Sequence, residues 1–326
     1  MPLPLLFIGA AAVTGVFGVG KSIKAGLDFK EASETNDYAD DIVKNATNKI
    51  NTCRKNCGAA ITRLGECKIQ VLHGSIKPFV EEYEKLRNIN LEDSKGLNEI
   101  QKIVLDKESF DELKQLQSMA SSMVGGLASG TMAGAITAFG AYGAAGALAT
   151  ASTGTAIASL SGAAATNATL AFFGGGSLAA GGLGIAGGTA VLGGLVAAPA
   201  LAVLGVVVGA KASENKDKAY SNLAKAREFK EEMDTASLLC MGIRKRSAMF
   251  YRFLLSLNSQ FDPLIYEMKQ IINAKGTDFS LYSIEDRAAI AKAQSMAKAI
   301  KTILDTPILD EEGNLIPESA NIADLN

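Results

Sequence analysis

In 326 residues, 32 Lys and Arg stand against 34 Asp and Glu, giving a net charge of −2 and a pI near 5.7. No basic patch stands out, which excludes nucleic acid as the main partner. One His, no Trp and four Cys without disulfide-framework spacing leave little for metal binding or acid–base chemistry, and favour a reducing compartment.

Residues 1–28 form an apolar N-terminal segment whose first twenty residues carry no charge. A secretory signal wants basic residues ahead of its apolar run, and here the first is Lys21, behind it. The expectation is an uncleaved helix that touches the membrane or the rest of the apolar sequence. Gly15, Gly20, Lys21 and Ser22 satisfy the spacing of a phosphate-binding P-loop, with Lys21 at the phosphates and Ser22 on magnesium. Ile8–Val13 passes as the preceding strand, and the run Lys102–Asp106 faintly suggests a magnesium-holding Asp106. No series of alternating strands and helices follows, so the match reads as chance in a glycine-rich run and no cofactor is expected.

Residues 29–114 read as a long amphipathic helix followed by a connector. Tyr38, Ile42, Ala46, Ile50, Cys53, Cys57, Ala60, Leu64, Cys67 and Val71 recur at steps of three and four, the spacing of one helix face. The cysteines lie on that stripe and read as small buried hydrophobes rather than metal ligands. His73, Gly74 and Pro78 predict a break. Ser109 and Glu112 read as a capping box that opens a helix running into the next region.

From Gln115 to Ala210 there is no charged residue and no His, and 21 of the 33 glycines fall here. About 20 apolar residues suffice to cross a bilayer, so these 96 have room for several spans. Thr189–Ala210 is the most apolar stretch and Met123–Ala149 the next. Gly126, Gly130 and Gly134 recur every fourth residue, as do Gly184 with Gly188 and Gly205 with Gly209. That spacing suits close packing of helices within a membrane. Lys102, Lys107 and Lys114 precede the region, and Lys211, Lys216 and Lys218 follow it. By the positive-inside rule both flanks then share one side.

Residues 211–304 predict further amphipathic helices. Cys240, Ile243, Ser247, Phe250, Leu254, Leu257, Phe261, Leu264, Met268 and Ile271 alternate steps of three and four, a heptad seam. Asp262-Pro263 predicts a kink or restart, Gly276 an end, and Ser283–Asp286 a new start. Residues 305–326 read as an acidic, loosely ordered tail.

The expected fold is all-α: long amphipathic helices in an antiparallel bundle or stalk, carrying a glycine-rich hydrophobic hairpin. This layout resembles the α-helical pore-forming toxins. The stretch TASTGTAIASLSGAAATNATLAFFGGGSLAAGG (Thr150–Gly182) resembles the core of a poorly characterised bacterial glycine-rich family, sometimes automatically labelled chemotaxis proteins. The expectation is a non-enzymatic, membrane-active protein that inserts residues 115–210 and forms a homo-oligomer, with no small-molecule substrate. It would sit in the bacterial inner membrane, or in the cytoplasm with conditional insertion. A constitutive membrane-anchored scaffold is the alternative, and a P-loop membrane-remodelling enzyme a remoter one.

Overall fold

The computed structural model describes residues 24–89, 105–129, 136, 139–141, 143, 216–309, 315–317 and 319–320. Five α-helices carry this part of the chain: α1 (Lys24–Val71), α2 (Lys77–Tyr83), α3 (Lys107–Ser129), α4 (Lys216–Lys275) and α5 (Ile284–Asp305). No strand occurs among the described residues; two isolated bridges join Arg87 to Asp278 and Leu309 to Leu315. The all-α expectation holds.

The predicted break near His73 does not occur. A π turn, Leu72–Ile76, links α1 to α2, and the Lys77 N–H bonds back to the Leu72 carbonyl. Pro78 offers no N–H and crowds the carbonyl four residues earlier; widening the turn keeps the chain helical through it. The rod from Lys24 to Tyr83 is therefore about 90 Å long at 1.5 Å per residue. Helix α4 has 60 residues and matches it. Pro263 neither breaks nor restarts α4. Its ring and its neighbour Asp262 lie on the exposed side, so the backbone bond that proline cannot make is left to water.

The two rods run parallel, not antiparallel as expected. Tyr220 Oη donates to Glu31 at 2.8 Å and Asn222 Nδ2 to Asn36 at 3.0 Å. Further along, Lys49 pairs with Asp234 at 2.7 Å, and Ser75 Oγ donates to Asp262 at 2.6 Å. The sequence separations of these four pairs are 189, 186, 185 and 187, so both chains advance together. At the far end the Arg87 N–H bonds to the Thr277 carbonyl at 2.8 Å, and the Phe279 N–H to the Arg87 carbonyl at 3.0 Å. The connection from α2 to α4 is long enough to return to the starting end, which a parallel pair requires.

Two regions follow from who else joins this pair. Near the start, α1 buries only a narrow line, Ala32, Ala39, Val43, Ala46 and Ile50, against Ala219, Leu223, Ala226, Phe229 and Met233 of α4. Tyr38, expected on the stripe, is 57% exposed. Repeated four-residue steps such as 38–42–46 drift about 40° each around a helix of 3.6 residues per turn. Alternating steps of four and three, 39–43–46–50, stay on a two-helix seam. From Ile61 onward burial widens to Leu64, Cys67, Lys68, Ile69, Val71, Leu72 and Ile76, because α3 and α5 now cover the other sides.

Helices α3 and α5 run opposite to the pair. Lys114 of α3 ion-pairs with Glu84, and His73 Nδ1 lies 3.4 Å from Ser121 Oγ. Phe110 meets Tyr83 and Phe79 at centroid distances of 5.1 and 6.5 Å, and Phe79 meets Phe261 at 5.4 Å. The start of α3 is capped by Asp106 rather than Ser109: Asp106 accepts from the Ser109 N–H at 2.8 Å and from its hydroxyl at 3.0 Å. A carboxylate placed before the first turn holds an orphan N–H better than a serine inside it. Gly276 ends α4 at φ +81°. Ser283 and Asp286 form a true capping box for α5, at the new start the sequence suggested.

The described part of the tail is packed. Ile308 and Leu309 are buried, the Ile316 N–H bonds to the Ile308 carbonyl at 2.9 Å, and Arg246 donates to Ser319 at 2.8 Å. The two apolar residues after Pro307 are packed into the core, and most of the tail expected to be loose lies outside the described residues.

Candidate functional site

The described helices meet the uncharged region at one junction. Leu113, Leu116 and Ala120 of α3 are fully buried and Met119 is 6% exposed. Ile136, Phe139 and Ala141 continue that burial. These described positions of the uncharged region are thus core components of the bundle. Within Met123–Ala149, Val124 packs partly against the core and Ile136, Phe139 and Ala141 are buried in it.

Two glycines allow this approach. A Cβ on Gly65 would fall 2.0 Å from the Ile136 carbonyl oxygen, and one on Gly140 would fall 2.2 Å from that of Ile61. The contact is reciprocal: each backbone presses its glycine onto the carbonyl four residues from the other glycine. Such approach brings Cα–H groups onto carbonyl oxygens. Just beyond, Gly143 adopts φ +69° with the Leu304 and Asp305 carbonyls against it. The Ala141 carbonyl accepts from the Ile308 and Leu309 N–H groups at 2.7 and 3.2 Å.

Lys68 lies at the centre of this junction, fully buried. Its Nζ donates to the Phe139 and Leu304 carbonyls, both at 3.3 Å, and stands 5.2 Å from the Phe139 ring centroid. The Leu304 carbonyl belongs to the last turn of α5, where the helix dipole favours a cation. Burial still dominates and pulls Lys68 down to about 7, with Asp305 opposing the fall. Lys301, almost as buried, pairs with Glu112 at 2.7 Å and Asp305 at 2.6 Å. One lysine thereby ties three segments together: α1, the 136–143 segment and the end of α5.

A second polar cluster lies where the narrow seam meets the bundle. Cys57 of α1 and Cys240 of α4 are both buried; the neighbouring Cys240 and burial push the Cys57 thiol up, while Cys57 and the Arg54 guanidinium lower Cys240 to about 7. Arg54 is 5% exposed, and its Nη1 has no hydrogen-bond partner. Cys53 is half-buried and Cys67 buried; all four cysteines are free. Among the described residues no group of three or more His, Cys, Asp or Glu side chains could hold a metal ion. An open groove of about 760 Å³ runs alongside, lined by Asn56, Ala60, Arg63, Arg244 and Tyr251 among others.

Of the sequence-predicted positions, Gly126 falls in α3. Gly130, Gly134, Gly184, Gly188, Gly205 and Gly209 lie outside the described residues, as do Gly15, Gly20, Lys21 and Ser22. Asp106, considered as a magnesium ligand, is the cap of α3. Lys68 and Arg54 were missed. Their only signal is position: Lys68 falls between Leu64 and Val71 on the apolar stripe, and Arg54 falls between two of its cysteines. No family model, no curated protein and no solved structure matches this chain.

Proposed function

We propose that this is a membrane-active helical protein, in which a water-exposed scaffold of long helices delivers uncharged segments to a lipid bilayer, where they insert and oligomerise to perturb it. The observation that carries this reading is the parallel pairing of α1 and α4. It brings Lys24 and Lys216 to the same end of the stalk. The chain reaches Lys24 from the uncharged residues 1–20, and reaches Lys216 from the most apolar stretch, 189–210. Two uncharged apolar segments therefore join the stalk at the same end, with Lys21, Lys24, Lys211, Lys216 and Lys218 near the joins in sequence. Lysines at that level suit an anionic headgroup layer. No described helix is long and apolar enough to cross a membrane, so any insertion falls to the glycine-rich region and residues 1–23.

The burial of Ile136, Phe139 and Ala141 in the bundle supports conditional insertion, with part of the uncharged region stored against protein. The test is flotation and dye release with phosphatidylglycerol/phosphatidylethanolamine vesicles, comparing wild type with Gly130→Leu. Binding with release, the release lost in the variant while binding persists, supports an oligomer packed through its glycines. Binding without release from either protein supports the anchored scaffold instead. Failure of wild type to float with vesicles overturns the membrane reading.

A further inference from the structure

The 136–143 segment meets the bundle around a lysine that has no carboxylate of its own. Lys68 is fully buried, and its Nζ donates to two backbone carbonyls, Phe139 of the segment and Leu304 of α5, both at 3.3 Å. The Phe139 ring lies on a third side, its centroid 5.2 Å away. A neutral amine has two N–H groups, which these carbonyls satisfy; an ammonium brings a third proton and a charge. Asp305 of α5 is the carboxylate that acts on Lys68, and it is already bonded to Lys301 at 2.6 Å. Glu112 of α3 pairs with the same Lys301 at 2.7 Å. From α1 the titratable neighbour is Cys67, and no group of α4 acts on the amine. Ile136, Phe139, Gly140, Ala141 and Gly143 carry no titratable group. A buried ammonium without an ion pair is costly.

The segment is also the most lightly held wall of this site. Helix α5 buries Ile290, Ala293, Ala297, Ile300, Ile303 and Leu304, whereas the described residues of the segment bury the apolar side chains of Ile136, Phe139 and Ala141. The rest of its hold is backbone contact: Gly65 against Ile136, Gly140 against Ile61, and the Ala141 carbonyl with the Ile308 and Leu309 N–H groups. Withdrawing the segment is therefore the smallest motion that returns the amine to water. We propose that Lys68 is a proton-operated latch: a proton taken up by its amine loosens the 136–143 segment from α1 and α5, so that this part of the uncharged region leaves the bundle more readily as the pH falls. Its use in membrane insertion rests on the function proposed above; the latch itself does not. With the segment in place Lys68 titrates at about 7, and with the amine in water at about 10.4. Opening is thus rarest above the higher value, grows as the pH falls between the two, and levels off below the lower one.

The test is hydrogen–deuterium exchange of the full-length chain at pH 6, 7 and 8, read by mass spectrometry and corrected for intrinsic rates. Protection of the 136–143 peptide should fall about tenfold from pH 8 to 6, most of it above pH 7, while peptides of α4 keep theirs. Lys68→Met keeps the stem and removes the proton site, and should flatten the profile. Asp305→Asn removes the carboxylate that favours the ammonium, and should carry the profile to lower pH. A flat wild-type profile, an unchanged slope in Lys68→Met, or an equal loss across α4 would each overturn the latch. If circular dichroism shows Lys68→Met unfolded, Asp305→Asn decides, and an unmoved profile overturns it. Flotation with phosphatidylglycerol/phosphatidylethanolamine vesicles at pH 6 and 8 separates the latch from its use. More wild type floating at pH 6 than at pH 8, with Lys68→Met alike at both, supports the latch as the control of insertion. The expected exchange profile with no flotation at either pH leaves the latch standing and overturns only the membrane reading.

Discussion

Lys68 shows how one residue can be set against its own solvation. Its amine has two carbonyls, an aromatic face and the nearby Asp305, yet burial leaves it near 7 where a free lysine titrates at about 10.4. Between those values the unfolded chain binds the extra proton and the folded chain does not, so stability rises with pH. The contribution is complete above the unfolded value and is lost as pH falls toward 7. The slope is of order 1 kcal/mol per pH unit. Urea midpoints measured from pH 7.5 to 9.5 should climb for wild type and climb less for Lys68→Met. Identical slopes would remove Lys68 from the account. The sequence did not reveal this residue, because a lysine at the edge of an apolar stripe usually extends its stem along the core and its amine into water. Only the arrival of residues 139 and 304 closes that route.

Among elements, the contact of α1 with the 136–143 segment depends on two hydrogen atoms in place of two methyl groups. Gly65→Ala and Gly140→Ala each gain up to about 1 kcal/mol of helix propensity. Each also places a carbon on a carbonyl oxygen, and overpacking of this kind costs about 1–3 kcal/mol. Both variants should therefore be less stable than wild type in chemical denaturation. Gly74→Ala, at a site with open space around it, should be neutral or stabilising. If all three shift alike, the close approach is not what holds the segment. The periodicity of α4 was legible because ten seam residues repeat on one strand of sequence. The Gly65–Gly140 pair was not: its members lie on different segments, so no repeat within either segment marks them. Gly126, Gly130 and Gly134, which do repeat, drew the attention instead.

At the scale of the whole molecule, direction was the illegible property. A heptad seam reads the same for a partner running either way, so amphipathic spacing located both rods and left their relative sense open. Parallel pairing is measurable. With the native cysteines replaced by serine, spin labels at Ser33→Cys and Ser221→Cys should lie within about 20 Å of each other. Antiparallel rods of this length would separate them by roughly 65 Å at 1.5 Å per residue. The same pairing sets an order of events during synthesis. The polar pairs along the narrow seam join residues 185 to 189 positions apart. At about 5–20 residues per second, α1 leaves the ribosome roughly 10–40 s before its partner exists. The whole glycine-rich region is made within that interval. Whatever the uncharged segments meet first, bilayer or bundle, they meet it before the stalk can zip, and the stalk then closes behind a decision already taken.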